Sequence, residues 1–388
     1  MENTANVFTQ INKLGQSLWL DYIDRHLITS GTLEDLVKTG RVKGVTSNPA
    51  IFEKAIRTDS SYANDIRRLA SEHLPVEEIF EHLAIADIRA AADILRPVYD
   101  ASQHRDGFVS LEVSPLLAYD STRTITEARR LWQSVSRRNL MIKVPATEQG
   151  LSAIRTLIAE GIHVNVTLLF SRHMYARVVE AWLAGLEQWA AQGGNPGEVS
   201  SVASFFISRI DTAVDAQLQE RLALESSASG RTRLQHLLGR TAIANARLAY
   251  AHFLALMDSD RWRRLAQLGA QPQRLLWAST GTKSPDYSDI MYVENLIGPD
   301  TVNTLPPATL QAFGDHGKAL NSLENGIAEA GAQLEMLDQL HIPLEPLTEK
   351  LLADGVTLFT TAYHSLLAEI AKHAPGTSAP HSSTRMTS

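Results

Sequence analysis

Eight short apolar runs, each separated from the next by a longer stretch, most limit what this chain can fold into. The runs are Ser17–Leu20, Arg41–Thr46, Phe108–Val113, Leu140–Val144, His163–Leu168, Val199–Phe205, Leu275–Ala278 and Thr301–Leu305. Their length suits buried strands. Between them lie amphipathic stretches such as Val76–Tyr99, Thr124–Arg138, Arg172–Ala191, Ile207–Leu224, Leu234–Leu256 and Tyr287–Leu296. Strand followed by helix, repeated, argues for parallel βαβ units. Eight such strands point to an α/β fold with a single closed (β/α)8 barrel, and a doubly wound open sheet is the alternative. Glu225–Gly230 reads as a loop and Asp258–Gln273 as a helical insertion before the seventh strand. Residues 317–371 read as further C-terminal helices, punctuated at His341–Pro343, that cap or brace the barrel. The expectation is one domain over 1–374 and a disordered tail over 375–388, whose composition is polar and rich in serine.

Bulk numbers remove several functions. The chain has 388 residues, 44% of them hydrophobic, which is enough for a large core. A net charge of -7 argues against a nucleic-acid partner, so any anionic substrate must meet a local basic cluster. With no cysteine, disulfides, thiolate chemistry and Cys-ligated zinc are excluded. The N-terminus, MENTANVFTQINKLGQS, has no cationic start before an apolar core, so no secretory signal is expected. No apolar run approaches the roughly 20 residues needed to span a bilayer. These features predict a cytoplasmic protein without a membrane partner. No internal repeat and no glycine-rich phosphate loop of the nucleotide-binding kind is present.

The polar residues fall where a barrel enzyme needs them, at the C-terminal ends of the strands. In order these are Asp21, Thr46 and Asn48, Glu112, Lys143, Asn165 and Thr167, Ser204, and Ser279. Strand ends that meet solvent become polar anyway, but that does not explain polar residues inside apolar runs. Asn165 and Thr167 alternate with Val164, Val166 and Leu168, so the two share one face of their strand. Buried polar groups of that kind need partners. Lys143 lies within Leu140-Met141-Ile142-Lys143-Val144-Pro145. Burial disfavours a charged ammonium, and an amine held partly neutral is a nucleophile that forms Schiff bases with carbonyl compounds.

Two long segments carry a specific resemblance. Gly44-Val45-Thr46-Ser47-Asn48-Pro49-Ala50-Ile51-Phe52 and Met141-Ile142-Lys143-Val144-Pro145-Ala146-Thr147-Glu148-Gln149-Gly150-Leu151 resemble the two transaldolase signatures. Asn165-Val166-Thr167-Leu168-Leu169-Phe170-Ser171 and Ser204-Phe205-Phe206-Ile207-Ser208-Arg209 match the same family in the same order, and the resemblance runs from about residue 12 to 370. Short transaldolases carry an Ala-Ser-Phe-Arg motif after the seventh strand. This chain has Ala278-Ser279-Thr280-Gly281-Thr282-Lys283, keeping the serine and losing the arginine. It is more similar to the longer bacterial members, including Tyr292–Asp300 and Asn303–Pro307. Some of those are fused to a phosphoglucose isomerase domain. Nothing of that size follows here, so only transaldolase activity is expected.

The resemblance implies a barrel of the class I aldolase type, with no metal and no cofactor, acting on sugar phosphates as a monomer or homodimer. It implies transfer of a dihydroxyacetone unit from sedoheptulose 7-phosphate to glyceraldehyde 3-phosphate, within the non-oxidative pentose phosphate pathway. Lys143 would be the Schiff-base residue, and Asp21 the base for the C4 hydroxyl. Glu112 and Thr167 would hold a catalytic water, and an ion pair between Glu112 and Lys143 would equally place Glu112 in the site. Thr46, Asn48, Asn165 and Ser204 would contact substrate hydroxyls. For the phosphate, Arg209 stands five residues after Ser204, at a helix start that favours anions. Ser279 adds a hydroxyl, and Lys283, in a loop that Gly281 loosens, is the nearest replacement for the lost arginine. Fructose-6-phosphate aldolase activity is the alternative, and a silent barrel a remoter one. In small aldolases of this superfamily a tyrosine and a glutamine help replace the glutamate and threonine arrangement, and the presence of both Glu112 and Thr167 here favours the transferase.

Overall fold

Strand β1 (Gln16–Leu20) lies parallel to β8 (Thr301–Leu305), Gln16 opposite Thr301 and Leu20 opposite Leu305, and this pairing closes the sheet. The structure is a computed structural model that describes residues 6–374. From β1 the order runs through β2 (Gly44–Val45), β3 (Phe108–Glu112), β4 (Leu140–Pro145), β5 (Val164–Leu169), β6 (Ser201–Phe206) and β7 (Arg274–Ala278) to β8. Each strand pairs with the next, giving a closed parallel barrel. The expected (β/α)8 architecture therefore holds and the open sheet does not. Strands covered on both faces read as nearly unbroken apolar runs, and every residue of β4, the lysine included, is buried. The proposed tail, 375–388, lies outside the described residues.

Local differences from the sequence reading have local causes. Arg41 is exposed, so the second run contributes only Gly44–Val45 to the ladder. The stretch Leu234–Leu256 divides into helices Ala228–Leu237 and Thr241–Met257. Gly239 breaks it at φ +67, with its N–H donated to Asp215 at 3.0 Å. The loop at Glu225 ends at Ser227, whose hydroxyl accepts from Gly230 N at 3.0 Å and caps the helix that follows. Of Tyr287–Leu296 only Met291–Asn295 is helical. The insertion before β7 holds the helix Asp260–Gln267.

The C-terminal extension contains helices Ile327–Gln339 and Leu344–His373. The second lies across the barrel end that carries the site. Its Glu345 accepts a 2.6 Å hydrogen bond from Ser171, in the turn after β5. Gly355 packs so close to β5 that a Cβ there would stand 2.9 Å from Leu168 Cδ2. Farther along, Tyr363 meets Phe80 edge-on at 5.9 Å. The extension thus caps the mouth. Among the described residues, no helix is long and apolar enough to cross a membrane.

Candidate active site

Strand register assembles the centre of the site. Glu112 on β3 is the partner of Lys143 on β4, which is the partner of Asn165 on β5. Three polar side chains thus stand in one row across adjacent strands of the barrel. Lys143 is 5% exposed, and its Nζ donates to the Ser47 carbonyl at 2.9 Å and lies 3.2 Å from Glu112 Oε2. The segment after it is set by two contacts. Thr147 caps the helix Glu148–Ile158 by accepting from Gly150 N at 3.0 Å. Gly150 packs on the Pro145 carbonyl, where a Cβ would fall 2.0 Å from the oxygen.

Asp21 follows β1 directly, its N–H held by the Leu305 carbonyl at 2.8 Å. Its Oδ1 accepts from Thr46 Oγ1 at 2.7 Å, and Thr46 Oγ1 is 2.7 Å from Thr304 Oγ1. Since Thr46 gives its only proton to Asp21, Thr304 donates to Thr46. Burial pushes the Asp21 carboxyl above its ordinary range, opposed by the Lys143 charge, the Thr46 hydrogen bond and the Lys283 charge in that order. Burial also raises Glu112, opposed by the charge and proximity of Lys143 and reinforced by the charge of Asp21. Two carboxyls raised above their ordinary range beside one amine form an acid–base set of the kind that exchanges protons.

Thr167 is fully buried, and neither its hydroxyl nor Glu112 Oε2 has a hydrogen-bond partner among the described residues. Other buried polar atoms elsewhere in the protein, such as Tyr175 Oη and Asn139 Oδ1, also lack partners, so it is the position of these two beside Lys143 that gives them meaning. The backbone next to Thr167 is irregular. The β5–β6 register shifts between Val166 and Leu169, and Leu168 sits at φ +56, which is unfavourable for a branched side chain.

A cavity opens above this row. Asp21, Thr46, Lys143, Thr167, Ser204, Arg209, Ser279 and Lys283 all line it. Asn48 borders it too, with its Oδ1 committed to Ile51 N at 3.0 Å as the cap of helix Pro49–Thr58. That leaves the Asn48 amide nitrogen as the donor. Glu112 stands behind Lys143. Asn165 does not reach the cavity: its Nδ2 donates to Ser110 Oγ at 3.0 Å, and its Oδ1 accepts from Ser204 Oγ at 2.6 Å. Asn165 therefore orients Ser204 and keeps one amide N–H beyond these two bonds.

Besides Lys143, two cations line the cavity. Arg209, in the first turn of helix Ser208–Leu224, lies over the Phe206 ring at 5.4 Å. No carboxylate among the described residues forms an ion pair with it, and burial pulls its guanidinium below the usual arginine value. Ser279 Oγ is 2.9 Å from Ser208 Oγ, with Ser279 itself at φ +56. Lys283 is exposed at the rim, near enough for its charge to act on Asp21. A half-buried arginine, a rim lysine and the Ser204 and Ser279 hydroxyls thus border one cavity.

Four participants escaped the sequence reading. Thr304 carries the signal that exposed Asn165, a polar residue inside an apolar strand, and could have been found by it. Ser208 is hydroxyl-bearing but reads as an ordinary helix start. Ser47 acts through its carbonyl, and Phe359 reaches the cavity from the C-terminal helix. Neither leaves a mark in the sequence.

Barrel, buried amine and paired carboxylates define an enzyme of the aldolase type. The model of the family described as Transaldolase/Fructose-6-phosphate aldolase matches residues 18–370, and the chain belongs to that family. It is 48% identical to "Transaldolase 2" of a Nostoc species over 365 residues, covering 93% of this chain and 96% of that protein. It is 46% identical to "Transaldolase" of Thiobacillus denitrificans over 370 residues, with 94% and 99% covered. With "Transaldolase" of Thermobifida fusca the identity is 46% over 364 residues, with 94% and 97% covered.

Proposed function

We propose that the chain is a transaldolase that passes a dihydroxyacetone unit from a ketose phosphate to an aldose phosphate through a Schiff base on Lys143. The observation that carries this is the buried contact of Lys143 Nζ with Glu112 Oε2 at 3.2 Å, beside the Thr46-bound carboxylate of Asp21. Glu112 takes a proton from the ammonium, and the free amine adds to the ketose carbonyl. The carbinolamine loses water as Glu112 and Thr167 relay protons, leaving an iminium that withdraws electrons from C3. Asp21 removes the C4 hydroxyl proton, the C3–C4 bond breaks, and the bonding pair passes into an enamine as the first aldose leaves. The acceptor aldehyde then accepts the enamine carbon, Asp21 returns its proton to the new alkoxide, and water hydrolyses the imine. Asn48 orients hydroxyls, while Arg209, Ser279 and Lys283 hold the phosphate.

Donation to a bound acceptor rather than release of free dihydroxyacetone is favoured by Glu112 and Thr167, and by the names of the relatives. The reading places the protein in the cytoplasm, on sedoheptulose 7-phosphate, glyceraldehyde 3-phosphate, erythrose 4-phosphate and fructose 6-phosphate, in the non-oxidative pentose phosphate pathway. It is tested by incubation with fructose 6-phosphate, borohydride reduction and peptide mass spectrometry. A reduced three-carbon adduct on Lys143 alone is expected. An adduct on another lysine, or none, overturns the mechanism.

A further inference from the structure

Two aspartates of helix Ser208–Leu224 are bound in the same unusual way. Asp211 accepts at Oδ1 from Ala242 N at 2.7 Å and at Oδ2 from the hydroxyl of Tyr292 at 2.9 Å. Asp215, one turn later, accepts at Oδ1 from Gly239 N at 3.0 Å and at Oδ2 from the hydroxyl of Tyr287 at 2.8 Å. Each carboxylate thus fastens three segments: the helix that begins with Ser208 and Arg209, the break between two helices at Gly239–Ala242, and the loop after β7. Neither aspartate has a cationic partner within 4 Å among the described residues, and Asp211 is 1% exposed. A buried carboxylate without a cation is costly, and a packed apolar pair would stabilise the fold more cheaply. The fit at Tyr287 is close as well: a Cβ at Gly239 would lie 2.7 Å from Tyr287 Cζ.

The loop held in this way is the one that carries Lys283. It leaves the site at Ser279, closes on itself through Thr282 Oγ1 to the Ser288 carbonyl at 2.8 Å, and is pinned on the far side by Tyr287 and then Tyr292. Arg209 lies two residues before Asp211 on the helix that receives both pins. The pins therefore fix the distance between the two cations of the anion site, one borne by the helix and one by the loop.

We infer that Tyr287–Asp215 and Tyr292–Asp211 are positioning pairs that hold Lys283 opposite Arg209, so that their contribution appears in phosphate affinity and not in bond cleavage. The inference rests on the proposed function. A long exposed lysine binds a phosphate well only if its loop is ordered beforehand, because ordering it at the moment of binding subtracts from affinity. Removal of one tyrosine hydroxyl leaves the ring packed and only the tether lost.

The test is a double-mutant cycle of Tyr287→Phe and Lys283→Ala, read as KM and kcat with fructose 6-phosphate and with dihydroxyacetone, which has no phosphate. Lys283→Ala is expected to raise KM for fructose 6-phosphate about tenfold, and Tyr287→Phe about three- to tenfold, with little change in kcat. In the Tyr287→Phe variant, KM for dihydroxyacetone moves by less than about twofold. The double variant is no worse than Lys283→Ala alone, since a tether has nothing left to position. Fully additive effects, or a Tyr287→Phe effect of equal size on both donors, overturn the positioning role and leave the clamp standing. No effect of Lys283→Ala overturns the clamp and the positioning role with it, while Schiff-base trapping on Lys143 still reports separately on the mechanism. If Tyr287→Phe fails to fold, Tyr292→Phe and Asp215→Asn enter the same cycle.

Discussion

The barrel contains two buried cation–carboxylate pairs at opposite ends, and they are satisfied to very different degrees. At the N-terminal end Arg274, the first residue of β7, meets Asp106 at 2.9 Å, with side chains 6% and 8% exposed. Asp106 also accepts from Ser17 Oγ at 2.7 Å and Trp19 Nε1 at 3.3 Å, and Arg274 donates further to Ser17 Oγ and the Arg105 carbonyl. At the C-terminal end Lys143 meets Glu112 at 3.2 Å, with side chains 6% and 5% exposed. There Glu112 Oε2 has no aligned hydrogen bond among the described residues, and the nearby Thr167 hydroxyl has none either. Equal burial thus accompanies a fully bonded network below and an underbonded one above. The first arrangement locks strands together, and the second leaves polar capacity for a reaction. This is the division expected of a barrel whose chemistry is confined to one face.

The largest expected effect of breaking the upper pair is on chemistry. Lys143→Arg keeps a buried cation beside Glu112 but cannot form an iminium. Transfer activity should vanish in a coupled assay while circular dichroism stays native. Measurable turnover in this variant would remove Lys143 from the mechanism. Asp21→Asn should come next, leaving an imine that borohydride still traps but lowering turnover by about 10²- to 10⁴-fold, because the C4 proton loses its acceptor. If this variant failed to trap substrate, Asp21 would belong to imine formation instead.

Breaking the lower pair should cost stability and spare catalysis. Arg274→Met leaves the Asp106 carboxylate buried without its cation, a loss of about 3–5 kcal/mol in urea unfolding. Replacing both partners, Arg274→Met with Asp106→Leu, should recover part of it, since two apolar groups leave no stranded charge. Turnover per folded molecule should match the parent in both. A fall in turnover without a fall in stability would erase the distinction between the two ends.

The same contrast explains what could be read in the sequence. The strands were legible because covering on both faces forces apolar runs, and Lys143 stood out because a charge inside such a run is exceptional. Asp21, Thr46 and Thr167 followed from strand-end position and resemblance. Asn165 is buried and polar as the strand pattern implies, and its bonds to Ser110 and Ser204 depend on neighbouring strands that the local pattern does not identify. The Ser47 carbonyl and the left-handed Leu168 are features of backbone geometry, which side-chain identity does not encode. The break at Gly239 depends on Asp215, 24 residues earlier, and Phe359 reaches the cavity only because a terminal helix docks across the mouth. Local pattern carries the strands, and docking between distant segments carries the rest.

The smallest expected effect sharpens the comparison with a carboxylate that has no cation at all. Burial pushes Asp211 from its ordinary value of about 3.8 up to about 7, opposed by the hydrogen bond from Ala242 N, raised further by the charge of Asp215, and opposed again by the bonds from Tyr292 and Thr241 N. A carboxyl whose value rises on folding binds its proton more tightly in the native state than in the unfolded chain. Its stabilising contribution is therefore complete below pH about 3.8 and is lost as pH climbs towards about 7. Through that window Asp211 should tilt unfolding free energy downwards by up to about 1.4 kcal/mol per pH unit. Asp211→Asn, which has no proton to lose, should flatten that part of the stability profile when urea unfolding is measured at intervals from pH 4 to 7. Asp21 and Glu112 are raised in the same direction, so a residual downward tilt should persist in the variant. Arg274→Met should not remove the Asp211 tilt, because its strands meet at the other end of the barrel. A profile unchanged by Asp211→Asn would mean that the aspartate is ionised throughout, held by Tyr292 and Ala242 as firmly as Asp106 is held by Arg274.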